Sequence, residues 1–269
     1  MQLSVVIITY NEEVNIGRTL ASVQALVADG KGEIIVVDSG STDRTVEIAK
    51  SYGANVFVED WKGYAAQKNS AIDKASGEWI LSLDADEEVS HPAAAVIGRT
   101  IGPDSDVYKS CAGVWFSRKN YFLGRWIKHG GFYPDKKLRL FRKSEGRFED
   151  RVVHETVIVE GKTERSLEMD FRVGGEIALI HHSYPTLADY LDHMNRYSSL
   201  GAEMVVAKGR VRFSVFNIVV RPAATFIYNY IFRLGFLDGR EGLLLHLYHA
   251  VYVSWKYAKA WELSRRKQP

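Results

Sequence analysis

Glu33-Ile34-Ile35-Val36-Val37-Asp38, followed by Ser39-Gly40-Ser41-Thr42-Asp43, decides the fold class. Four consecutive β-branched apolar residues without polar alternation suit a strand covered on both faces, as in the interior of a parallel sheet. The polar string behind them is a turn rich in helix-capping residues, and it leads into a helix over Thr45 to Tyr52. Upstream, Leu3 to Thr9 is a second such strand, and Val14, Leu20, Val23 and Leu26 then recur at helical spacing. Downstream, Asn55 to Val58 reads as a strand, Gly63 to Lys74 as a helix, and Glu78 to Leu83 as a strand ending in Asp84. Strands alternating with helices predict an α/β fold with a mostly parallel central sheet and helices on both faces. Such a sheet places its ligand beyond the carboxyl ends of its strands. Thr9-Tyr10-Asn11, Asp38-Ser39-Gly40-Ser41 and Asp84-Ala85-Asp86 should therefore meet at one edge.

The rest of the chain reads differently. Short alternating runs at Val107 to Phe116, Lys137 to Phe141 and Val152 to Val159 predict a mixed or antiparallel extension of the sheet. Helical patterning returns from Leu187, broken at Pro222 and at Gly235, Gly239 and Gly242. The predicted organisation is an α/β domain over 1–195, with ligand binding in 1–100 and a second part in 101–195, and a helical region over 196–269. In 269 residues the formal charge is +2, which hides an asymmetry. Residues 1–195 carry 23 Lys and Arg against 29 Asp and Glu, whereas 196–269 carry 12 against 4 and hold 13 of the 32 aromatic residues. A basic, aromatic tail suits an anionic membrane surface. Its cations are dispersed among apolar stretches, so no nucleic-acid partner is expected.

Phe213 to Phe232 has the length of a membrane span, but Arg221 and Pro222 near its centre favour an interfacial or protein-buried helix. Glu241 to Trp261, with Arg265-Arg266-Lys267 behind it, has the aromatic and basic content of a helix lying in a membrane plane, the competing reading being a helix packed on the protein. The start Met1-Gln2-Leu3 lacks the basic region of a secretory signal, so the amino terminus is expected to stay in the cytoplasm. The single cysteine, Cys111, excludes an internal disulfide and a cysteine-based zinc site, and it reads as a small buried hydrophobe.

Asp84 and Asp86 bracket one residue directly after a buried strand, where both carboxylates can turn toward one hard cation such as Mg2+ or Mn2+ that also binds a diphosphate. Asp38 is a short acceptor suited to a ribose hydroxyl or a base N–H. Neither a G-x-G-x-x-G nor a G-x-x-x-x-G-K-[ST] sequence occurs, which removes the main support for redox dinucleotide or P-loop binding.

Four segments in order, Val5-Val6-Ile7-Ile8-Thr9-Tyr10-Asn11-Glu12, Ile34 to Asp43, Ala66-Gln67-Lys68-Asn69 and Leu83-Asp84-Ala85-Asp86-Glu87, resemble the successive signatures of family-2 glycosyltransferases with the GT-A fold. Pro134-Asp135, Leu138 to Arg142, Val153-His154-Glu155 and Gly235-Phe236-Leu237-Asp238-Gly239 resemble the branch of lipopolysaccharide core β-1,4-glucosyltransferases. The resemblance implies a GT-A nucleotide-diphospho-sugar transferase fold with a carboxyl-terminal membrane-associating helical region. It implies a metal-dependent inverting transferase acting on a nucleotide-sugar donor, UDP-glucose by default, and a lipopolysaccharide-core or other lipid-linked glycan acceptor. Such an enzyme would work as a peripheral protein on the cytoplasmic face of the inner membrane. Thr9, Tyr10, Glu12, Asp38, Lys68 and Asp84 are implied to hold the nucleotide sugar, and Asp86 the metal, with Asp84 and His181 beside it. Lys68 stands where many relatives carry arginine, which keeps the charge and loses the planar fork. Glu155, Asp150 and Glu149 compete as the general base, with Glu155 matching the branch signature and Asp150 next. Of His181 and His182, adjacent on a strand, one can face the site. Arg139 and Arg142 are candidates for anionic groups of an acceptor, or a solvated strand face. A polyprenyl-phosphate transferase and a non-catalytic nucleotide-binding module on a membrane are the alternative functions.

Overall fold

The chain folds around the strands anticipated at its amino end, in a computed structural model that describes residues 2–102, 111–149, 156–165, 169–170, 175–209 and 211–266. In chain order these are Leu3–Thr9 (β1), Ile16–Val27 (α1), Gly32–Asp38 (β2), Thr45–Ser51 (α2), Asn55–Val58 (β3), Tyr64–Lys74 (α3) and Trp79–Asp84 (β4). Glu87–Val89 (β5) and His91–Ile101 (α4) follow, then Gly113–Phe122 (β6), Arg125–Trp126 (β7), Asp135–Arg142 (β8), Gly146–Glu149 (β9) and Thr156–Val159 (β10). Three short strands, Thr163–Arg165 (β11), Met169–Asp170 (β12) and Gly175–Glu176 (β13), precede Ala178–Tyr184 (β14). The chain ends in Leu187–Ala207 (α5), Arg221–Ile227 (α6) and Gly239–Arg266 (α7).

The large sheet runs β3-β2-β1-β4-β8-β6-β14-β5. Its first four strands are parallel and β8 joins β4 antiparallel, so the parallel half and the mixed extension both appear. Period-two alternation splits the core of β1 between two faces. Leu3, Val5 and Ile7 pack with α1 and α4 through Ile16, Leu20, Val23, Val96 and Ile97, whereas Val6 joins Ile35, Val37 and the α3 residues Ala65, Ala71 and Ile72. The register sets Thr9 opposite Asp38 and Ile8 opposite Asp84, which brings the three polar strand ends to one edge as expected.

The helices start later than the apolar spacing suggests, since Asn11, at φ 53°, and the residues to Asn15 form a loop before α1. Asn tolerates this left-handed conformation better than most residues. Cys111 is buried, and its thiol donates to the Gly113 carbonyl at 2.9 Å. Residues 107–110 of the first alternating run, and 152–155 of the last, lie outside the described residues.

Two compact units divide the chain, residues 1–118 with 135–181, and 119–134 with 182–269. The second unit contains the helical region. In it α5 packs on α7, and Lys259 of α7 donates to the Asn195 carbonyl and to Ser198 and Ser199 of α5 at 2.7–2.9 Å. A capping box between Thr186 and Asp189 starts α5. The Gly235–Gly239 segment is a packing corner. Asp238 accepts from the His129 backbone N–H at 2.8 Å and pairs with its ring Nδ1 at 2.9 Å, while Gly130 and Gly235 leave room for the buried His246 ring. Burial pushes the His246 imidazole down to about 4.

The two apolar stretches of the helical region differ in how they pack. Glu241 to Trp261 belongs to a helix that buries Leu245, His246, Ala250, Val253 and Ala260 within the protein, so one side of it is packed while Leu243 and Leu247 stay exposed. Its aromatic residues serve packing, as Tyr252 stacking on His249 and Trp261 against Phe213 show. Phe213 to Phe232 is neither buried nor one regular helix: α6 is flanked by wider π-helical turns at Phe216–Val220 and Tyr228–Phe232, and many of its apolar side chains are exposed. No helix among the described residues is long and apolar enough to cross a membrane.

The tight crossing of β1 and the turn before β4 gives a test. A Cβ on Gly77 would lie 2.6 Å from the Ser4 backbone nitrogen, whereas nothing lies within 4 Å of one on Gly98 in α4. Gly77→Ala should cost about 1–3 kcal/mol in denaturant unfolding, and Gly98→Ala should be neutral or stabilising by up to about 1 kcal/mol. Equal effects would contradict this packing.

Candidate active site

The loops after β1 and β2 are laced together by short polar side chains. The Asn11 N–H donates to Ser41 Oγ at 2.8 Å, the Thr42 N–H to Asn11 Oδ1 at 2.8 Å, and the Glu12 N–H to Thr45 Oγ1 at 2.8 Å. Asp38 is fully buried and accepts from the Gly40 and Ser41 N–H groups at 3.0 and 2.8 Å, and from the Ser41 hydroxyl. Its carboxylate therefore shapes the turn that follows β2. Thr9 is buried at the end of β1 and Tyr10 is exposed. Thr9 Oγ1, Ser39 Oγ and Gln67 Nε2 are buried without a hydrogen-bond partner, which in a folded protein usually marks a bound water or ligand.

At the end of β4 the two aspartates have different surroundings. Asp84 Oδ1 pairs with Lys68 of α3 at 2.8 Å and Oδ2 with Arg139 of β8 at 2.5 Å, with Arg118 of β6 at 3.9 Å. Burial would raise the Asp84 carboxyl, but Arg139 and then Lys68 overrule it and hold the group well below the usual carboxylate range. The Arg139 guanidinium also reaches Glu87 at 2.5 Å, and Arg118 joins Glu87 at 3.1 Å and Asp135 at 2.7 Å. Glu87 is fully buried and Arg139 nearly so. Glu87, Arg118 and Asp135 are thus parts of the site to which the sequence reading assigned no role.

Asp86 pairs instead with His181 of β14, Oδ2 to Nε2 at 3.1 Å. Burial opposes its ionisation, yet the His181 partner prevails and lowers the carboxyl. His182 projects elsewhere and stacks on Tyr121 at 5.8 Å, as adjacent strand residues must diverge. Glu12 is pushed up to about 7, chiefly by burial, with the nearby charges of Asp86, Asp43 and Asp84 adding to the rise. Lys68, Arg139 and Arg118 face Asp84, Glu87 and Asp135. Asp86 and Glu12 form the acidic surplus beside that network.

The segment with the candidate bases is tethered next to Lys68. Asn69 clasps the Phe148 backbone, donating to its carbonyl at 2.9 Å and accepting from its N–H at 3.0 Å, and Lys68 lies over the Phe148 ring at 5.2 Å. Glu149 follows on β9, opposite Thr156 of β10. Asp150 and Glu155 lie outside the described residues. The expectation that Arg139 and Arg142 offer cations to an acceptor is corrected. Arg139 is consumed by Asp84 and Glu87, and Arg142 bonds Glu78 and the Cys111 carbonyl and lies over Trp79 at 4.5 Å.

A divalent cation fits these donors. Mg2+ and Mn2+ take one or two protein ligands and fill the remaining positions with phosphate oxygens and water. Asp86 and His181 supply a carboxylate oxygen and an imidazole nitrogen in contact, beside an acidic surplus. No closed cage of three or more Asp, Glu, His or Cys side chains is assembled among the described residues.

The sequence profile of glycosyl transferase family 2 matches residues 4–153, which span β1 to the start of the candidate base segment. The chain belongs to glycosyl transferase family 2. It is 28% identical over 97% of its length to the lipopolysaccharide core biosynthesis glycosyltransferase LpsC of Rhizobium meliloti, covering 93% of that protein. It is 30% identical over 99% of its length to an uncharacterised glycosyltransferase of Rickettsia typhi, covering 89% of it. Among solved structures, a mannosyltransferase from Pyrobaculum calidifontis in complex with GDP-Man and Mn2+ superposes with a TM-score of 0.53, covering 99% of this chain and 88% of the other at 16% identity. The central sheet with its helices is the GT-A fold of this family.

The raised Glu12 carboxyl has a sign that can be measured. In the unfolded chain Glu12 ionises near 4.5, and in the native protein near 7, so between these values the native state holds more protons. Its contribution to stability should fall as pH rises through that window in the absence of metal and nucleotide. Glu12→Gln should remove the slope in a pH series of denaturant unfolding. An identical pH profile for both proteins would contradict the assignment.

Proposed function

We propose that this glycosyltransferase is a metal-dependent, inverting enzyme that moves a sugar from a nucleotide-sugar donor to a lipopolysaccharide-core or other lipid-linked glycan acceptor. The observation that carries the reading is the division at the end of β4, where Asp84 is held by Lys68 and Arg139 while Asp86 faces His181. UDP-glucose is the donor proposed first. The acceptor class rests on the likeness to LpsC, whose name assigns it to lipopolysaccharide core synthesis. Such an acceptor places the enzyme peripherally on the cytoplasmic face of the inner membrane.

Thr9, Tyr10 and Glu12 at the end of β1 line the nucleotide side, and the Asp38 turn holds the loop against them. Thr9 Oγ1, Ser39 Oγ and Gln67 Nε2 are the buried groups that donor hydroxyl, base or phosphate atoms would satisfy. Lys68 places one positive charge near the diphosphate, positioned by Asp84. Asp86 and His181 hold the cation, which when bound stabilises the negative charge of the departing nucleoside diphosphate. In direct displacement the acceptor hydroxyl attacks the anomeric carbon from the face opposite the diphosphate. Its proton passes to a carboxylate, the new glycosidic bond forms, and the nucleoside diphosphate leaves with the bonding pair. Glu155 is the proposed base, Asp150 the next candidate, and Glu149 the third.

A panel of nucleotide sugars scored by thermal shift should give stabilisation by one donor that deepens with Mn2+, since a ligand of the native state raises its melting point by mass action. With that donor and a glycan acceptor, Asp86→Ala should lower Mn2+-dependent release of nucleoside diphosphate by at least about a hundredfold. Full turnover by this variant would overturn the metal assignment.

A further inference from the structure

The segment from Phe213 to Leu237 presents apolar side chains to solvent on a scale that a free surface seldom shows. Phe213, Phe216, Val219, Tyr228, Phe232 and Leu237 are all exposed, Phe232 to 73%. Large apolar side chains exposed together along one segment mark an interaction surface. The segment is not a loose tail. Ser254 of α7 donates to the Ile218 carbonyl at 2.9 Å, Arg221 bonds the Tyr257 hydroxyl of α7, and Pro222 is buried, so its inner side is attached to the second unit while the outer side stays bare.

The charges of the segment select the occupant. From Val211 to Leu237 the ionisable acids are absent from the sequence, and the formal charges are Arg212, Arg221 and Arg233, all exposed. Long arginine stems can lie along apolar surface while their guanidinium groups reach a headgroup layer. Tyrosine and phenylalanine between them suit the boundary between headgroups and acyl chains. Bridging to a second copy through the same patch would bring Arg212 and Arg233 of both copies into one interface with no Asp or Glu of the segment to pair them, which opposes self-pairing. No described helix can span a bilayer.

We propose that the Phe213–Leu237 segment is a docking face for an anionic phospholipid surface, lying in the plane of the interface with its aromatic and aliphatic side chains among the acyl chain ends and Arg212 and Arg233 at the phosphates, while Arg221 stays bonded to Tyr257. The inference rests on the surface-acting reading given above and names the element that performs it. It assigns the membrane contact to the segment before α7. Binding of this kind is reversible, scales with the apolar area inserted, and weakens as salt screens the arginines.

The test is flotation of the full chain with vesicles of phosphatidylcholine alone or mixed with phosphatidylglycerol. The wild type should float with the anionic vesicles and release at high salt. Phe216→Ser with Phe232→Ser should lower the partition coefficient by at least about tenfold with the melting point retained, and Arg212→Gln with Arg233→Gln should remove the preference for anionic lipid. Wild type that stays in the protein fraction, or a serine pair that floats equally well, overturns the proposal. So does a concentration-dependent dimer of the wild type that the serine pair converts to monomer, because a second copy then covers the face. Donor thermal shift measured on the same proteins separates the two readings: flotation without any nucleotide-sugar response refutes the transferase assignment and leaves the docking face, and the reverse pattern refutes the docking face alone.

Discussion

Arg139 carries a charge into the interior of the first unit, and the site is arranged around it. Its guanidinium touches Asp84 at the end of β4 and Glu87 at the start of β5. A buried cation of this kind is tolerable only when carboxylates surround it, and removing either side leaves an uncompensated charge at a cost of about 3–5 kcal/mol. Lys68 of α3 completes the pairing of Asp84 from the other side, and Arg118 ties Glu87 to Asp135. Five elements are thereby held in one register at the ends of the parallel strands. The network is a constraint on geometry more than a source of net stability, since desolvation offsets much of its attraction.

That constraint explains why two aspartates separated by one residue have different surroundings. Asp84 is paired with Lys68 on one oxygen and Arg139 on the other. Asp86 looks toward β14 and His181, and burial raises the carboxyl of the next acid, Glu12, to about 7. An acidic surplus beside a neutralised network attracts a cation without needing a dense cluster of ligands.

The parallel half of the fold was legible because Val5 to Ile8 and Ile34 to Val37 are continuous β-branched runs, and because polar residues close each strand. Asp86 with His181 was legible by resemblance, and the structure brings the two together. The roles of Glu87, Arg118 and Asp135 were not legible, since a charged residue next to apolar ones on a strand reads equally well as a solvent face. Only the pairing of β4, β6 and β8, set by long-range register, shows where those side chains meet. The same limit misassigned Arg139 and Arg142. In the helical region amino-acid content does not say which of two neighbouring apolar stretches packs on the protein: α7 buries Leu245, Ala250 and Val253, whereas the segment before it exposes Phe216 and Phe232.

The division between Asp84 and Asp86 is the central claim, and Mn2+ binding read by electron paramagnetic resonance in the presence of nucleoside diphosphate tests it most directly. Asp86→Asn should weaken Mn2+ retention by about tenfold or more while leaving the fold intact. Asp84→Asn should keep Mn2+ affinity near that of the wild type and lower the melting point, because Lys68 and Arg139 lose their shared carboxylate. Equal loss of Mn2+ in both variants, or loss confined to Asp84→Asn, would contradict the account.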